Sequence, residues 1–305
     1  PGPAPPRVDR LAASPGALAG LAPGDRMMAA DSLRRIDLIS SSPLSSATPG
    51  EPLLVLRERA GKPTLVWLAP RALPDAERRF NVVIFAVAAA FLLLGGWVWR
   101  ERRDRLTRTF YLLCLAFAVQ LAPIPHFVSR AAEIAYSSVT VLAQLFIGPL
   151  FSHFFALFPE SGKPRARAWV LASYASATVL LACFVVMLLE STFGTGHSLA
   201  LRPLLQVAPG AVFVAGLLGG LVLFALAFTR VETSDARRRL RVAFFGTLLG
   251  ALPLALLVGL HNLSEAPVLP GERWAVPFTL LVPLSFAWAM AVHNVFDFRV
   301  ALRAF

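Results

Sequence analysis

The sequence predicts an α-helical integral membrane protein with a small α+β domain at its N-terminal end. Of its 305 residues, 56% are hydrophobic and only 15% are charged, whereas ordinary soluble domains are about 25% charged. Seven apolar runs in the chain are long enough to cross a bilayer. Residues 1–70 differ from the rest, because short apolar alternations there are interrupted by proline and glycine turns.

The seven apolar runs predict seven transmembrane helices over residues 81–293, after a linker at 71–80. A membrane helix needs about 20 apolar residues to cross about 30 Å of hydrocarbon. Short polar segments, most of them rich in arginine, separate the runs. The predicted spans are 81–99, 109–127, 137–158, 168–189, 209–229, 241–261 and 274–293.

The basic residues between the spans predict the orientation of the chain. The loops after the first, third and fifth spans carry thirteen lysines and arginines, whereas the three alternate loops carry Arg130, Arg202 and Arg273. Basic residues concentrate in cytoplasmic loops. We therefore expect the N-terminal domain to lie outside the membrane and the C-terminal end to lie inside.

The strongly basic balance indicates contact with lipids. The net charge is +11 and the pI is about 11.2. Loop arginines that face an anionic membrane surface explain this charge. A nucleic-acid partner is not indicated, because the sequence has no basic face combined with base-stacking or groove-entering elements. Cys114 and Cys183 both lie in apolar runs, so they do not indicate a disulfide framework.

The N-terminal region predicts strands and turns. Residues 54, 56, 65 and 67 are apolar at period-2 spacing on either side of a turn at residues 60–62, which is typical of a hairpin. Residues 15–20 predict a short helical turn, and Arg26–Ala30 predicts a strand after the turn at Gly24 and Asp25.

This arrangement resembles a PDZ domain of the bacterial kind over residues 5–70. That family carries a small-Pro motif and a Leu-x-Pro-Gly-Asp turn, then a strand, a helix and a hairpin. The resemblance implies a peptide or protein ligand that adds a strand to a sheet edge. The family's carboxylate-binding loop would precede residue 5, and residues 32–48 are loop-like where the family has a helix. The matching residues are Ser14, Pro15, Ala19, Gly20, Leu21, Pro23, Gly24 and Asp25.

The C-terminal end resembles the last membrane helix of multi-pass bacterial sensor proteins, often histidine kinases. The resemblance rests on Pro283–Ala289 and Val295–Phe298. It implies the membrane half of a signal-transduction protein in the bacterial inner membrane, with Phe296, Asp297 and Arg299 as candidates for signal relay. Residues 294–305 would begin a cytoplasmic linker to an output domain beyond Phe305. A sensor kinase would be a homodimer, and ATP and Mg²⁺ would belong to that output domain alone.

The sequence leaves two other classes of function open. A transporter or a membrane scaffold with a PDZ-like binding domain is the main alternative, although no acidic pair lies deep in any span. An intramembrane protease has less support, because the sequence lacks the His-Glu-x-x-His motif of a metalloprotease. Ser152 and His153 are adjacent, so they point to different helix faces and do not make a dyad easily. The chain thus carries no catalytic motif and no predicted metal or cofactor site.

Two polar residues within the third predicted span are candidates for an intramembrane site. An ionisable group inside a membrane helix points by default to function, and His153 is such a group. The alternative is that His153 faces inward as a hydrogen-bonding residue. Gln144, nine residues earlier, is expected to join helices by hydrogen bonding.

Overall fold

A computed structural model describes most of the helical region and four strands. The described residues are 26–30, 34–35, 53–59, 62–68, 75–101, 103–122, 130–157, 164–193, 202–229, 234–263 and 272–293. The chain forms two compact units. The first comprises Pro1–Phe80, Ile124–Val139 and Val185–Arg202, and the second comprises Asn81–Pro123, Thr140–Phe184 and Pro203–Phe305.

The first unit contains a four-stranded antiparallel sheet. The order of the strands in the sheet is β2-β1-β3-β4, and β1 pairs with β3 through an irregularity between Met27 and Ala29. Strands β3 and β4 form a hairpin in which Leu56 pairs with Leu65 and Leu54 with Trp67. The strands are β1 (Arg26–Ala30), β2 (Arg34–Arg35), β3 (Leu53–Arg59) and β4 (Lys62–Leu68).

The structure confirms the strand at Arg26–Ala30 and the hairpin, with one correction. Lys62 was expected in the turn, but it pairs with Arg59 as the first residue of β4. Two residues between the strands are sufficient, since two-residue loops are common in hairpins. The predicted helical turn at 15–20 and the PDZ-like signature at 14–25 lie outside the described residues.

Eight helices follow the sheet within the described residues. Prolines lie inside several of them, as membrane helices tolerate, for example Pro149, Pro209 and Pro253. The helices are α1 (Asp75–Glu101), α2 (Arg105–Leu121), α3 (Arg130–Leu157), α4 (Pro164–Phe193), α5 (Arg202–Thr229), α6 (Ser234–Leu263), α7 (Glu272–Phe278) and α8 (Leu281–His293).

Five of these helices are long and apolar enough to cross a membrane, so the protein is a membrane-embedded helical protein. They correspond to the first, third, fourth, fifth and sixth predicted spans. The candidate spans are Glu77–Glu101, Ile134–Leu157, Ala166–Leu189, Val207–Thr229 and Leu240–Leu257.

The second predicted span differs in the structure from its expected bounds. Its helix α2 begins at Arg105, earlier than the expected residue 109, because Asp104 caps it. The Asp104 carboxylate accepts a hydrogen bond from the Thr107 backbone N–H at 2.8 Å, and the Asp104 N–H donates to the Thr107 hydroxyl at 3.2 Å. Such a reciprocal pair satisfies two backbone donors of the first turn. The described helix ends at Leu121, so it has 17 residues.

The seventh predicted span is interrupted by a turn at Thr279 and Leu280, between α7 and α8. Pro283 explains the break, because a proline ring has no N–H and conflicts with the carbonyl four residues earlier, here that of Thr279. Near the break, backbone N–H groups instead donate to carbonyls three residues earlier. Thr279 N–H donates to the Val276 carbonyl, Leu280 N–H to the Pro277 carbonyl and Val282 N–H to the Thr279 carbonyl, each at 3.1 Å.

Among the described residues, phenylalanine is the most frequent in the main buried cluster of the second unit. Phe286 of α8 is only 2% exposed and packs against rings from three other helices. Its ring centroid lies 4.9 Å from Phe154, 5.8 Å from Phe110, 5.9 Å from Phe155 and 6.2 Å from Phe224. The last helix is therefore anchored to α2, α3 and α5 through one side chain.

Candidate functional site

A polar junction of three helices lies inside the second unit and is centred on Ser152 of α3. Ser152 is completely buried. Its hydroxyl donates to the Gly216 carbonyl of α5 at 2.7 Å and accepts from the Trp169 indole N–H of α4 at 3.1 Å. We call Ser152, Trp169 and Gly216 the Ser152 junction. One hydroxyl thus joins three membrane helices, where unpaired polar groups are costly.

Glycines let α3 and α5 approach each other closely at this junction. Gly148 and Gly216 face each other, and a Cβ on Gly216 would lie 2.7 Å from the Gly148 carbonyl oxygen. A Cβ on Gly148 would lie 2.9 Å from the Val212 carbonyl oxygen. Because the obstructing atoms are backbone, neither position has room for a larger residue. Small residues at such interfaces are the usual basis of tight packing between membrane helices.

Trp169 fits against a third glycine. A Cβ on Gly219 would lie 2.5 Å from three atoms of the Trp169 ring. The Trp169 side chain is 39% exposed, as suits an aromatic anchor at a membrane surface. The structure gives it a second role, since the same ring also packs on α5 and donates to Ser152. Tryptophan combines a large apolar ring with one donor, so it can do both.

His153 has a partner of its own on α4. Its Nδ1 atom lies 3.1 Å from the Tyr174 hydroxyl oxygen, and the two share a hydrogen bond. The rings meet edge to face with centroids 5.7 Å apart, and Phe146 packs against Tyr174 at 6.1 Å. His153 is thus a hydrogen-bonding residue between α3 and α4.

Ser152 and His153 do not form a catalytic dyad. The Ser152 hydroxyl donates its proton to a backbone carbonyl, whereas the His153 Nδ1 atom binds the Tyr174 hydroxyl. A nucleophilic serine needs a base within hydrogen-bond reach of its oxygen. The two side chains serve different helix contacts, as the expectation of different helix faces implies.

The structure does not bring Gln144 and His153 together. They are nine residues apart on the continuous helix α3, which is about two and a half turns and about 13 Å along the axis. They consequently lie on opposite faces of α3. Gln144 is half-buried. The relay candidates Phe296, Asp297 and Arg299 and the PDZ-like signature residues lie outside the described residues.

A second close contact joins α6 to the interrupted pair α7 and α8. A Cβ on Gly246 would lie 2.7 Å from the Ser285 hydroxyl oxygen, and one on Gly250 would lie 3.0 Å from the Phe278 carbonyl oxygen. Gly246 and Gly250 are four residues apart, so they share one face of α6. We call Gly246, Gly250, Phe278 and Ser285 the α6 seam. It spans the turn at Thr279 and touches both helices.

The described residues do not contain a cluster that could hold a metal ion. No group of three or more histidine, cysteine, aspartate or glutamate side chains comes together within the described ranges. The polar atoms of the Ser152 junction bind one another, which suits a structural contact between helices.

Sequence reasoning missed the Ser152 junction and the α6 seam. Glycines recur at residues 216–220 and 245–253 of the sequence, and the structure shows close helix contacts at Gly216, Gly219, Gly246 and Gly250. The sequence alone did not indicate which helices approach one another. Gly148 of α3 is the residue that packs against Gly216. The spacing of Gly148 and Ser152, four residues apart on one helix face, is a sequence signal that could have pointed to this contact.

The comparisons with known proteins assign no family to this chain. No protein-family model matches it, and neither a curated protein nor a solved structure matches it.

Proposed function

We propose that this chain is the sensory and membrane-spanning part of a bacterial signal-transduction protein. A signal received outside the membrane or between the helices would change the packing of the last membrane segment. That change would pass through residues 294–305 to a cytoplasmic output domain, a kinase or a phosphatase. ATP and Mg²⁺ would be needed only there. Such a relay requires a ligand that binds one of two packing states more tightly than the other.

The observation that carries this proposal is the construction of the last segment. Helices α7 and α8 are separated by a turn that Pro283 imposes, and α8 is attached to the core through Phe286. A short helix with a defined break beside it is suited to a change in tilt or rotation, because turns and helix ends absorb such changes. The resemblance of residues 283–298 to the last helix of bacterial sensors supports the same role.

The proposal includes seven crossings of the inner membrane, with the N-terminal domain outside. Helix α2, which is about 25 Å long, and the α7–α8 pair would supply the two crossings beyond the five candidate spans. The distribution of basic residues among the loops supports the orientation. Val185–Arg202 and Ile124–Val139 include the predicted outer ends of α4 and α3, and they belong to the same unit as the sheet.

We propose that residues 1–70 form an external PDZ-like domain that binds a peptide or protein. The order of elements supports this, because a strand at Arg26–Ala30 precedes a long hairpin as the resemblance implies. Strand β4 lies at the edge of the sheet formed by the described strands, and an edge strand is where a peptide can add. As in sensor kinases, we propose that the protein is a homodimer.

A transporter would use a broken helix differently. In transporters, unwound backbone carbonyls at a helix break bind the transported ion. Here three carbonyls around the break accept hydrogen bonds within the protein. The Val276 carbonyl accepts from the Thr279 N–H at 3.1 Å and from the Thr279 hydroxyl at 2.6 Å. The Pro277 and Thr279 carbonyls also accept backbone N–H groups. The break therefore fits a tight turn better than an ion site.

The native reading frame provides the first test. We expect it to continue past Phe305 into an ATP-binding kinase domain or a phosphatase domain. A frame that ends close to Phe305, with no output domain, would refute the proposal and favour a transporter or a membrane scaffold.

The second test measures output from the full-length protein in lipid vesicles. Phe286→Leu should change the basal rate of autophosphorylation or dephosphorylation, because it loosens the anchor of α8. Phe278→Leu is the matched control, since Phe278 belongs to the same segment and is exposed. Equal output from wild type and both variants, at equal amounts of inserted protein, would contradict the relay through α8.

A further inference from the structure

Strand β4 exposes two large apolar side chains on one face. Leu65 is 65% exposed and Trp67 is 63% exposed. Because successive residues of a strand point to opposite faces, the two share a face, and the hairpin register places Leu56 and Leu54 opposite them. Val66 points the other way and is half-buried. The more exposed face of β4 thus carries its largest apolar side chains, the reverse of what water favours.

The hairpin is tethered close to the bilayer. Strand β4 ends at Leu68, α1 begins at Asp75 and the first candidate span begins at Glu77. The seven residue-to-residue steps from Leu68 to Asp75 extend at most about 25 Å, at roughly 3.5 Å for each step. The tether therefore holds the hairpin near the membrane, where lipid can cover Leu65 and Trp67.

Two basic residues at the start of α1 suit a lipid surface. Arg78 and Arg79 are exposed there, directly after the acidic residues Asp75 and Glu77. The exposed Lys62 at the tip of the hairpin lies on the face opposite to Leu65 and Trp67. A basic side chain near an anionic bilayer contributes about 1 kcal/mol of attraction. Tryptophan also prefers the headgroup level, where its ring and its N–H are both accommodated.

We propose that the β3–β4 hairpin binds the surface of an anionic bilayer through Leu65 and Trp67, on the side from which α1 enters the membrane. Trp67 lies at the headgroup level, and Arg78 and Arg79 of α1 contact lipid phosphates. The sheet is then held on the membrane by a second contact in addition to its covalent tether. This inference does not depend on the signalling proposal, because it concerns only the hairpin and the lipid.

The test places an environment-sensitive dye at single cysteines of the full chain. Cys114 and Cys183 are first replaced by alanine, and Leu65→Cys, Trp67→Cys and Thr64→Cys are labelled separately. Thr64 is the matched control, because it is exposed on the same strand but on the opposite face. Each protein is placed in nanodiscs of phosphatidylglycerol and phosphatidylethanolamine, at one chain per disc, with or without spin-labelled lipid as a quencher.

We expect blue-shifted emission and quenching by spin-labelled lipid at positions 65 and 67, and neither effect at position 64. Water-like emission at all three positions would overturn the proposal. Blue-shifted emission at 65 and 67 without quenching would also overturn it, because protein would then cover the face. A measurement on the unlabelled protein guards against misfolding of the cysteine variants. The fluorescence of Trp67 is the difference between the wild type and Trp67→Phe, and brominated lipid should quench it. Absence of that quenching counts against lipid contact.

Discussion

Single small residues decide how the helices of this protein pack. Ser152 satisfies the Gly216 carbonyl and the Trp169 indole with one hydroxyl, and it can do so only because Gly148 and Gly216 let the backbones of α3 and α5 approach. Between membrane helices, packing and hydrogen bonds replace the hydrophobic driving force that operates in water. Replacing a glycine by alanine at such a contact should therefore change the stability of the protein measurably.

Gly216→Ala should lower stability, because the new methyl group would meet the Gly148 backbone and push α3 from α5. We expect a loss of about 1–3 kcal/mol, measured as a lower midpoint of thermal unfolding in nanodiscs. Gly96→Ala is the control, since a Cβ at Gly96 meets nothing within 4 Å. Equal midpoints for the two variants would mean that the close contact of Gly148 and Gly216 is absent.

The hydrogen bond between His153 and Tyr174 should contribute modestly to stability. Tyr174→Phe removes the hydroxyl and keeps the ring that packs on Phe146. A double-mutant cycle with His153→Ala should give a coupling of about 0.6 kcal/mol, and up to about 1.7 kcal/mol, as for other membrane hydrogen bonds. Strictly additive effects of the two substitutions would argue that the bond does not form.

At the scale of elements, the chain's prolines differ in their consequences. Pro149, Pro209 and Pro253 lie within continuous helices, whereas Pro283 accompanies a break. The proline sites differ in which hydrogen bonds replace the backbone bond that each proline removes. Around Pro283, three backbone bonds to the carbonyl three residues earlier and the Thr279 hydroxyl form a tight turn. The α6 seam then packs against both sides of that turn.

Pro283→Ala should restore a continuous helix through Thr279 and Leu280, because the alanine N–H can donate to the Thr279 carbonyl. We expect slower hydrogen exchange of the amides from 279 to 284, measured by mass spectrometry in nanodiscs. Pro253→Ala is the control, since α6 is already continuous there. Unchanged exchange at 279–284 would show that Pro283 is not the cause of the break.

The α2 helix illustrates how far sequence reasoning about elements reaches. Hydropathy located the helix but placed its start at residue 109, because arginines at 105 and 108 are poor membrane residues. The capping box of Asp104 and Thr107 sets the observed start at Arg105. A capping signal was present in the sequence and is independent of hydropathy, so reading it would have corrected the start.

For the whole molecule, the proposed orientation depends on the arginine-rich loops. The loops with thirteen basic residues would face the cytoplasm and those with three would face outward. The sheet shares its unit with Ile124–Val139 and Val185–Arg202, which lie around the second and fourth loops of the predicted outer side. The assignment of the outer side is a proposal that follows from the arginines alone.

Reporter fusions measure this orientation directly. Alkaline phosphatase, which is active only outside the cytoplasm, should be inactive when fused after Arg103 and active when fused after Gly271. A fluorescent protein that folds only in the cytoplasm should give the opposite pattern at the same two sites. The reverse result at both sites would reject the orientation, and identical results at both sites would reject an odd number of crossings between them.

The sequence by itself determined that the protein is helical and membrane-embedded, where five of its long apolar helices lie, and that a hairpin precedes them. These features follow from composition and periodicity, which are local properties of the chain. Only the tertiary structure decided that Gly148 meets Gly216, that Ser152 joins three helices and that Phe286 anchors α8. Such contacts depend on which helix faces which, and a membrane helix that is apolar all round carries no pattern that selects its neighbour.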